Sequence, residues 1–312
     1  MFGNKNKSRY GRHIYRLNKI RAPAVVLLVL LAAVGTITIL SRGRTGGTNI
    51  RRELLRVWNE GDFEQAFELS KGALTDKPLD YFLLTINGFS AYQTGISQIN
   101  NHNTLYYIDE SIQSLRKAIL LKESYKDGRV YYVLGKAYSY KGNEYADLAI
   151  KYLEVASNLN YEAEDIPEFL GLAFASIGDY RKSVEAFSRA FKEERSASDN
   201  LLLSIGRSYM AMQEFGMAIG YFQRCVDTSP DSRSIVVARL LLAQAYIQSG
   251  DHDSAEKQYL SILSESGENA EVRFQLGELF HLRGDTTRAR AEWRIAYRQD
   301  PAHARARARL NI

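Results

Sequence analysis

Five histidines and one cysteine are the side chains best suited to metal binding or nucleophilic chemistry. His13, His102, His252, His281 and His303 are scattered, without the close spacing that sets two ligands on one helix face. His252 follows a Gly-Asp pair where an aromatic residue would pack, so packing is its expected role. Cys225 has no second cysteine to pair with, and it stands at a small, buried place of an amphipathic helix, where an inert core thiol is expected. The chain has no glycine-rich phosphate loop and no nucleophile elbow. Acidic pairs such as Glu193-Glu194 fall at exposed helix ends. The expectation is a chain with no catalytic residue, no metal site, no cofactor and no small-molecule substrate, and therefore not an enzyme.

What does recur is a set of small and aromatic residues. Residues 170–191, LGLAFASIGDYRKSVEAFSRAF, read as two amphipathic helices around Gly178-Asp179. Leu170, Gly171 and Phe174 share one face of the first, and Ser183, Phe187 and Ala190 one face of the second. Glycine can end the first helix in the left-handed conformation, and aspartate can cap the second. Each helix has one apolar stripe that it cannot bury alone. Copies follow: Ile205-Gly206, Tyr209, Ala218, Phe222, Cys225 and Pro230; then Leu242-Ala243, Tyr246, Gly250-Asp251, Ala255 and Tyr259; then Leu276-Gly277, Phe280, Gly284-Asp285, Ala289, Trp293, Ala296 and Pro301. The small residues Gly171, Gly206, Ala243 and Gly277 stand 35, 37 and 34 residues apart.

That period, with L-G-x2-Y, then A-x3-F, then Pro, resembles the tetratricopeptide repeat (TPR) family. The resemblance covers about 47–303. It implies an all-α fold, an α-α superhelix (TPR solenoid) of about seven helix-turn-helix repeats: 47–80, 81–127, 128–163, 164–198, 199–235, 236–269 and 270–303. The first repeat is degenerate. The second carries roughly eleven extra residues around GISQINNHNTLYY, a loop or a lengthened helix, and a place where a partner could touch. In the fifth, Gln213-Glu214 replace Gly-Asp, so that turn should be tighter or strained. Residues 304–312 should cap the end.

Of 41 Lys and Arg, eleven lie in residues 1–52, which hold no Asp or Glu; the remainder carries 30 basic against 36 acidic residues, a net of −6. The basic balance belongs to the N-terminal arm, which argues against a nucleic-acid partner for the body. Residues 1–21 are a basic arm, expected in the cytoplasm. The run 22–41, opening on Ala22 and closing on Ser41, carries no charge. Twenty residues at ~1.5 Å rise span ~30 Å, the hydrocarbon core of a bilayer. It is longer than a signal-peptide core and lacks a good cleavage site, so an uncleaved transmembrane helix is expected. Seven Lys/Arg precede it and four follow by residue 52, which places the repeats on the far side, the periplasm in a bacterium, below an inner-membrane anchor. Residues 42–48 form a short tether.

The resemblance further implies a right-handed superhelix whose first helices line a concave groove. The groove would present Tyr92, Tyr132, Lys136, Tyr140, Leu203, Arg207, Met210, Gln244, Ile247, Phe274, Glu278 and His281, a surface for a protein or peptide partner. Family members that clamp a carboxylate place Asn one residue after the small Gly or Ala. Here Phe89, Lys136, Leu172, Arg207, Gln244 and Glu278 stand there, so no such clamp is expected. Eight Arg against three acids between residues 283 and 309 read either as a solvated cap or as a contact for an acidic partner or lipid headgroups. The reading is a membrane-anchored TPR scaffold or adaptor. The alternatives are a structural subunit of a large cell-envelope machine, such as a periplasmic flagellar collar or secretion assembly, or a mitochondrial import-receptor-like protein with cytosolic repeats. The anchor makes a direct prediction: the full chain should sediment with membranes and resist high-salt extraction, and its recovery in the soluble fraction would remove the span.

Overall fold

The computed structural model describes residues 48–121, 127–190 and 197–312. The basic arm, the 22–41 run and the tether up to residue 47 lie outside the described residues. Among the described residues no helix is long and apolar enough to cross a membrane.

Fifteen α-helices follow one another, and no strand occurs among the described residues: α1 (Thr48–Asn59), α2 (Phe63–Asp76), α3 (Tyr81–Ser97), α4 (Asn101–Leu121), α5 (Gly128–Lys141), α6 (Ala146–Asn158), α7 (Ile166–Ser176), α8 (Tyr180–Ala190), α9 (Asp199–Ala211), α10 (Phe215–Thr228), α11 (Ser232–Ser249), α12 (His252–Ser266), α13 (Ala270–Leu282), α14 (Thr286–Gln299) and α15 (Ala304–Leu310). The first fourteen form seven hairpins, and every helix packs on the one before and the one after. The core is correspondingly a series of clusters along the stack, without a single centre. α11 begins at Ser232, four residues ahead of the expected sixth repeat, so Asp231 rather than a later residue caps it.

The turns follow from local chemistry. Gly178 takes φ +83°, and Asp179 donates its N–H to the Phe174 carbonyl at 2.9 Å while its carboxylate accepts from Lys182 N–H at 3.1 Å. One residue thus closes one helix and opens the next. In the fifth hairpin Gln213 adopts φ +62° and Glu214 N–H reaches the Tyr209 carbonyl at 3.0 Å. The same turn is made there without glycine, and the strain sits in the Gln213 backbone.

Within each hairpin a small residue of the first helix faces a large residue of the second. A Cβ added at Gly206 would lie 2.3 Å from the Phe222 ring, at Gly171 2.5 Å from Phe187, at Gly135 2.7 Å from Leu153, and at Gly277 2.5 Å from Trp293. Phe187 and Phe222 are fully buried there. The extra residues of the second repeat are lengthened helices, not a long loop: α3 and α4 run 17 and 21 residues. The added turn folds back on α2. Tyr106 and Tyr107 stand edge-on to Phe67 at 6.5 and 5.3 Å, Lys71 donates to the Tyr106 hydroxyl at 2.8 Å, and Tyr107 donates to Glu64 at 3.2 Å. Buried Asn87 ties the same three helices together, donating to the Phe67 carbonyl and Ser70 and accepting from Ser114.

Gly277→Leu should force α13 from α14 and cost about 1–3 kcal/mol by overpacking. Hydrogen exchange should show protection lost first in α13–α15, because hairpins are coupled mainly to their neighbours; uniform loosening along the chain would contradict that.

Candidate functional site

Beyond sequential packing, first helices touch first helices: α3 meets α5, α5 meets α7, α7 meets α9, and α9 meets α11. Second helices do not approach one another to the same degree. The first helices therefore form the inner wall, and the twelve residues expected on it fall into three groups.

Tyr132, Lys136 and Tyr140 recur every four residues on α5 and share one face. Asp165, immediately before α7, receives Lys136 Nζ at 2.7 Å and the Tyr132 hydroxyl at 2.8 Å, while Nζ also donates to the Tyr132 hydroxyl at 3.0 Å. The ammonium sits 4.7 Å from the Phe169 ring centre, 4.9 Å from Tyr132 and 5.7 Å from Tyr92. Tyr92 meets Tyr140 edge-on at 5.9 Å, and Tyr161 packs against Tyr132 at 5.2 Å. Burial opposes the Lys136 charge, yet Tyr132 and Asp165 outweigh it and raise its pKa. Burial also raises the Tyr92, Tyr132 and Tyr140 hydroxyls, so all stay protonated at neutral pH. Tyr92 is 3% exposed and is core, not a presented side chain. Lys136, Tyr132 and Asp165 satisfy one another, while the buried Tyr92 hydroxyl is left without a hydrogen-bond partner.

Leu203, Arg207 and Met210 of α9 and Gln244 and Ile247 of α11 form the second group. Leu203 is buried, Met210 and Ile247 are half-buried, and Arg207 and Gln244 are exposed. Arg207 has no ion-pair or hydrogen-bond partner among the described residues. Arg207 reaches solvent, and the partial desolvation that remains lowers its pKa. On α7, half-buried Glu168 likewise has no hydrogen-bonded partner among the described residues; burial, then repulsion from Asp165, raises its carboxyl, with Lys136 opposing.

The third group is covered by the chain itself. Phe274 is 3% exposed, with the His303 ring at 5.0 Å and the Arg305 guanidinium at 4.7 Å. Glu278 accepts from Arg309 at 2.6 and 2.9 Å, and Glu271 accepts from Arg305 and from His303 at 3.2 Å. His281 packs on Trp293 at 5.6 Å. α15 thus occupies the inner wall beside α13, and Phe274 and Glu278 are not open to a ligand. The open stretch runs from Glu168 to Ile247. Elsewhere, burial pushes the Cys225 thiol up to about 12, which suits a core residue. Among the described residues no group of three or more His, Cys, Asp and Glu is arranged to hold a metal.

Residues 201–235 and 240–304 each match a family model described as a tetratricopeptide repeat. Both stretches are thus similar in sequence to tetratricopeptide repeats. Among solved structures, the C-terminal part of a TPR repeat-containing protein from Cytophaga hutchinsonii aligns with a TM-score of 0.61 at 16% identity, over 84% of this chain and 99% of that one. A TPR protein from Parabacteroides merdae aligns at 0.50 with 15% identity, over 85% and 97%. At these identities the likeness shows the fold, a TPR-type helical solenoid. No curated protein matches the chain. TPR proteins commonly serve as protein-interaction scaffolds.

Sequence reasoning missed Asp165, Glu168 and Phe169 on the inner wall. Asp165 stands six residues before Gly171 and Glu168 three before it, on the same helix face as Leu172, so helical phase could have found them. Asp165→Asn should leave the Lys136 ammonium short of its counter-charge and cost about 1–3 kcal/mol, less than a fully buried pair because the carboxylate is part-exposed. Because the folded lysine pKa is raised, the pair's contribution is fully present below the unfolded value of about 10.4 and is lost only as pH rises further. Urea titrations of wild type and Lys136→Met should therefore differ by a constant amount from pH 6 to 9; a difference fading within that range would refute the assignment.

Proposed function

We propose that this chain is a non-enzymatic scaffold that takes a protein or peptide segment along the open stretch of its inner wall. The observation that carries the reading is Arg207. An exposed guanidinium without a counter-ion among the described residues stands on α9, three residues before half-buried Met210, and the neighbouring α11 carries Gln244 and Ile247. A carboxylate brought in by a partner would supply the missing charge-assisted bonds, while Met210 and Ile247 would take apolar side chains. Glu168, one hairpin earlier, would suit a basic side chain of the same segment. The tyrosine and lysine knot at one end and α15 at the other bound the stretch.

The charge-free 22–41 run supports a membrane tether, with the repeats in the bacterial periplasm and the basic arm in the cytoplasm. Such an anchor confines the search for partners to one membrane. Copurification from membranes with crosslinking should capture proteins whose contact sites map to α7, α9 and α11. Arg207→Glu should weaken that capture about ten-fold or more without changing the melting temperature. Capture at fixed stoichiometry and indifferent to Arg207 would favour instead the structural subunit of an envelope machine.

A further inference from the structure

Seven of the eight arginines near the end of the repeats separate into two sets, and the eighth, exposed Arg307, lies apart on α15. Arg283 is bound by Asp253 and Glu256, each at 2.6 Å, Arg288 by Asp285, Arg305 by Glu271 and Arg309 by Glu278. Arg290, Arg294 and Arg298 have no ion pair among the described residues and are exposed. They stand at four-residue intervals on α14 and so form one stripe. Glu292, the one acid of α14, is turned away and bound to Arg273 at 3.0 Å. The stripe is therefore of one sign, and like charges four apart repel one another along the helix.

The stripe borders a cleft of about 700 Å³ between α14 and α15, whose apolar lining includes Ile295, Leu310 and Ile312. Ile295 and Leu310 are half-buried, while Ile312 is 61% exposed. We propose that this cleft docks an acidic amphipathic helix of a protein partner, apolar ridge into the floor and carboxylates against Arg290, Arg294 and Arg298. The spacing selects a helix. Residues four apart rise ~6 Å per step, so three guanidinium groups at that interval match Glu or Asp recurring every four residues on an opposed helix. A flat anionic lipid surface would meet the charges and leave the apolar floor empty. The site is remote in sequence from Arg207 and stands independently of the inner-wall reading.

The test uses the full chain and a fluorescein-labelled synthetic helical peptide with Glu at three positions four apart beside a leucine ridge. The control has the same composition with Glu distributed around the helix. Anisotropy should show salt-sensitive binding of the first peptide. Both the control peptide and the triple variant Arg290→Gln, Arg294→Gln, Arg298→Gln should bind about ten-fold or more weakly. Arg207→Glu should leave the difference between the two peptides unchanged. The three arginines are exposed and unpaired, and an unshifted melting curve confirms that the variant folds. Equal binding of both peptides, or binding indifferent to the triple variant, overturns the proposal. So does arginine-dependent binding to phosphatidylserine vesicles without peptide binding, which would make the cleft a lipid site. Loss of a chain dimer in the triple variant without an effect on peptide would assign the cleft to a second copy.

Discussion

The structure depends on close approach of two helices over a residue with almost no side chain. Gly171, Gly206 and Gly277 let Phe187, Phe222 and Trp293 lie against the first helix at distances no Cβ would tolerate. Burying an aromatic ring there is the main favourable term, and it is available only when the partner position is small. Since each hairpin has a second apolar side, the gain is completed by the next hairpin. Stacking is therefore a requirement of the local pairing and not an addition to it.

Stacking in turn creates a wall of first helices, and the chain treats its parts differently. Across α3, α5 and α7 it is filled by tyrosines around Lys136, with every donor of the ammonium directed to protein or faced by a ring. Beside α13 it is filled by α15. Between them Arg207 and Gln244 are left to solvent. The wall therefore pairs Lys136 near one end and Glu278 near the other, and between them leaves Arg207 unpaired among the described residues.

The hairpins were legible because the small and large residues recur at a fixed interval and the Gly-Asp pairs mark the turns. Even the substituted turn at Gln213 was locatable, although its sequence does not reveal that the hydrogen-bond pattern survives intact. The fate of the wall residues was not legible. Helical phase gives the direction of Tyr92, Phe274 and Glu278 but not what meets them. Charged partners come from the adjoining element of the stack: Lys136 and Asp165 are 29 residues apart, Glu278 and Arg309 31, and Arg283 and Glu256 27. Those separations approximate the repeat itself, so opposite charges offset by about one period were the available signal. The 22–41 run is read from sequence alone, since it lies outside the described residues.

Contacts that reach only from one hairpin to the next also set the mechanics. The main contacts join neighbouring hairpins, so slight rotations at successive joints would add up, and such a stack would flex as a spring. The tyrosine-lined coils, pinned by Lys136 and Asp165, would be the stiffer part of that spring. A guest seated beside Arg207 would thus find a width that yields, adjusting to its girth by flexing the coils without unfolding any of them.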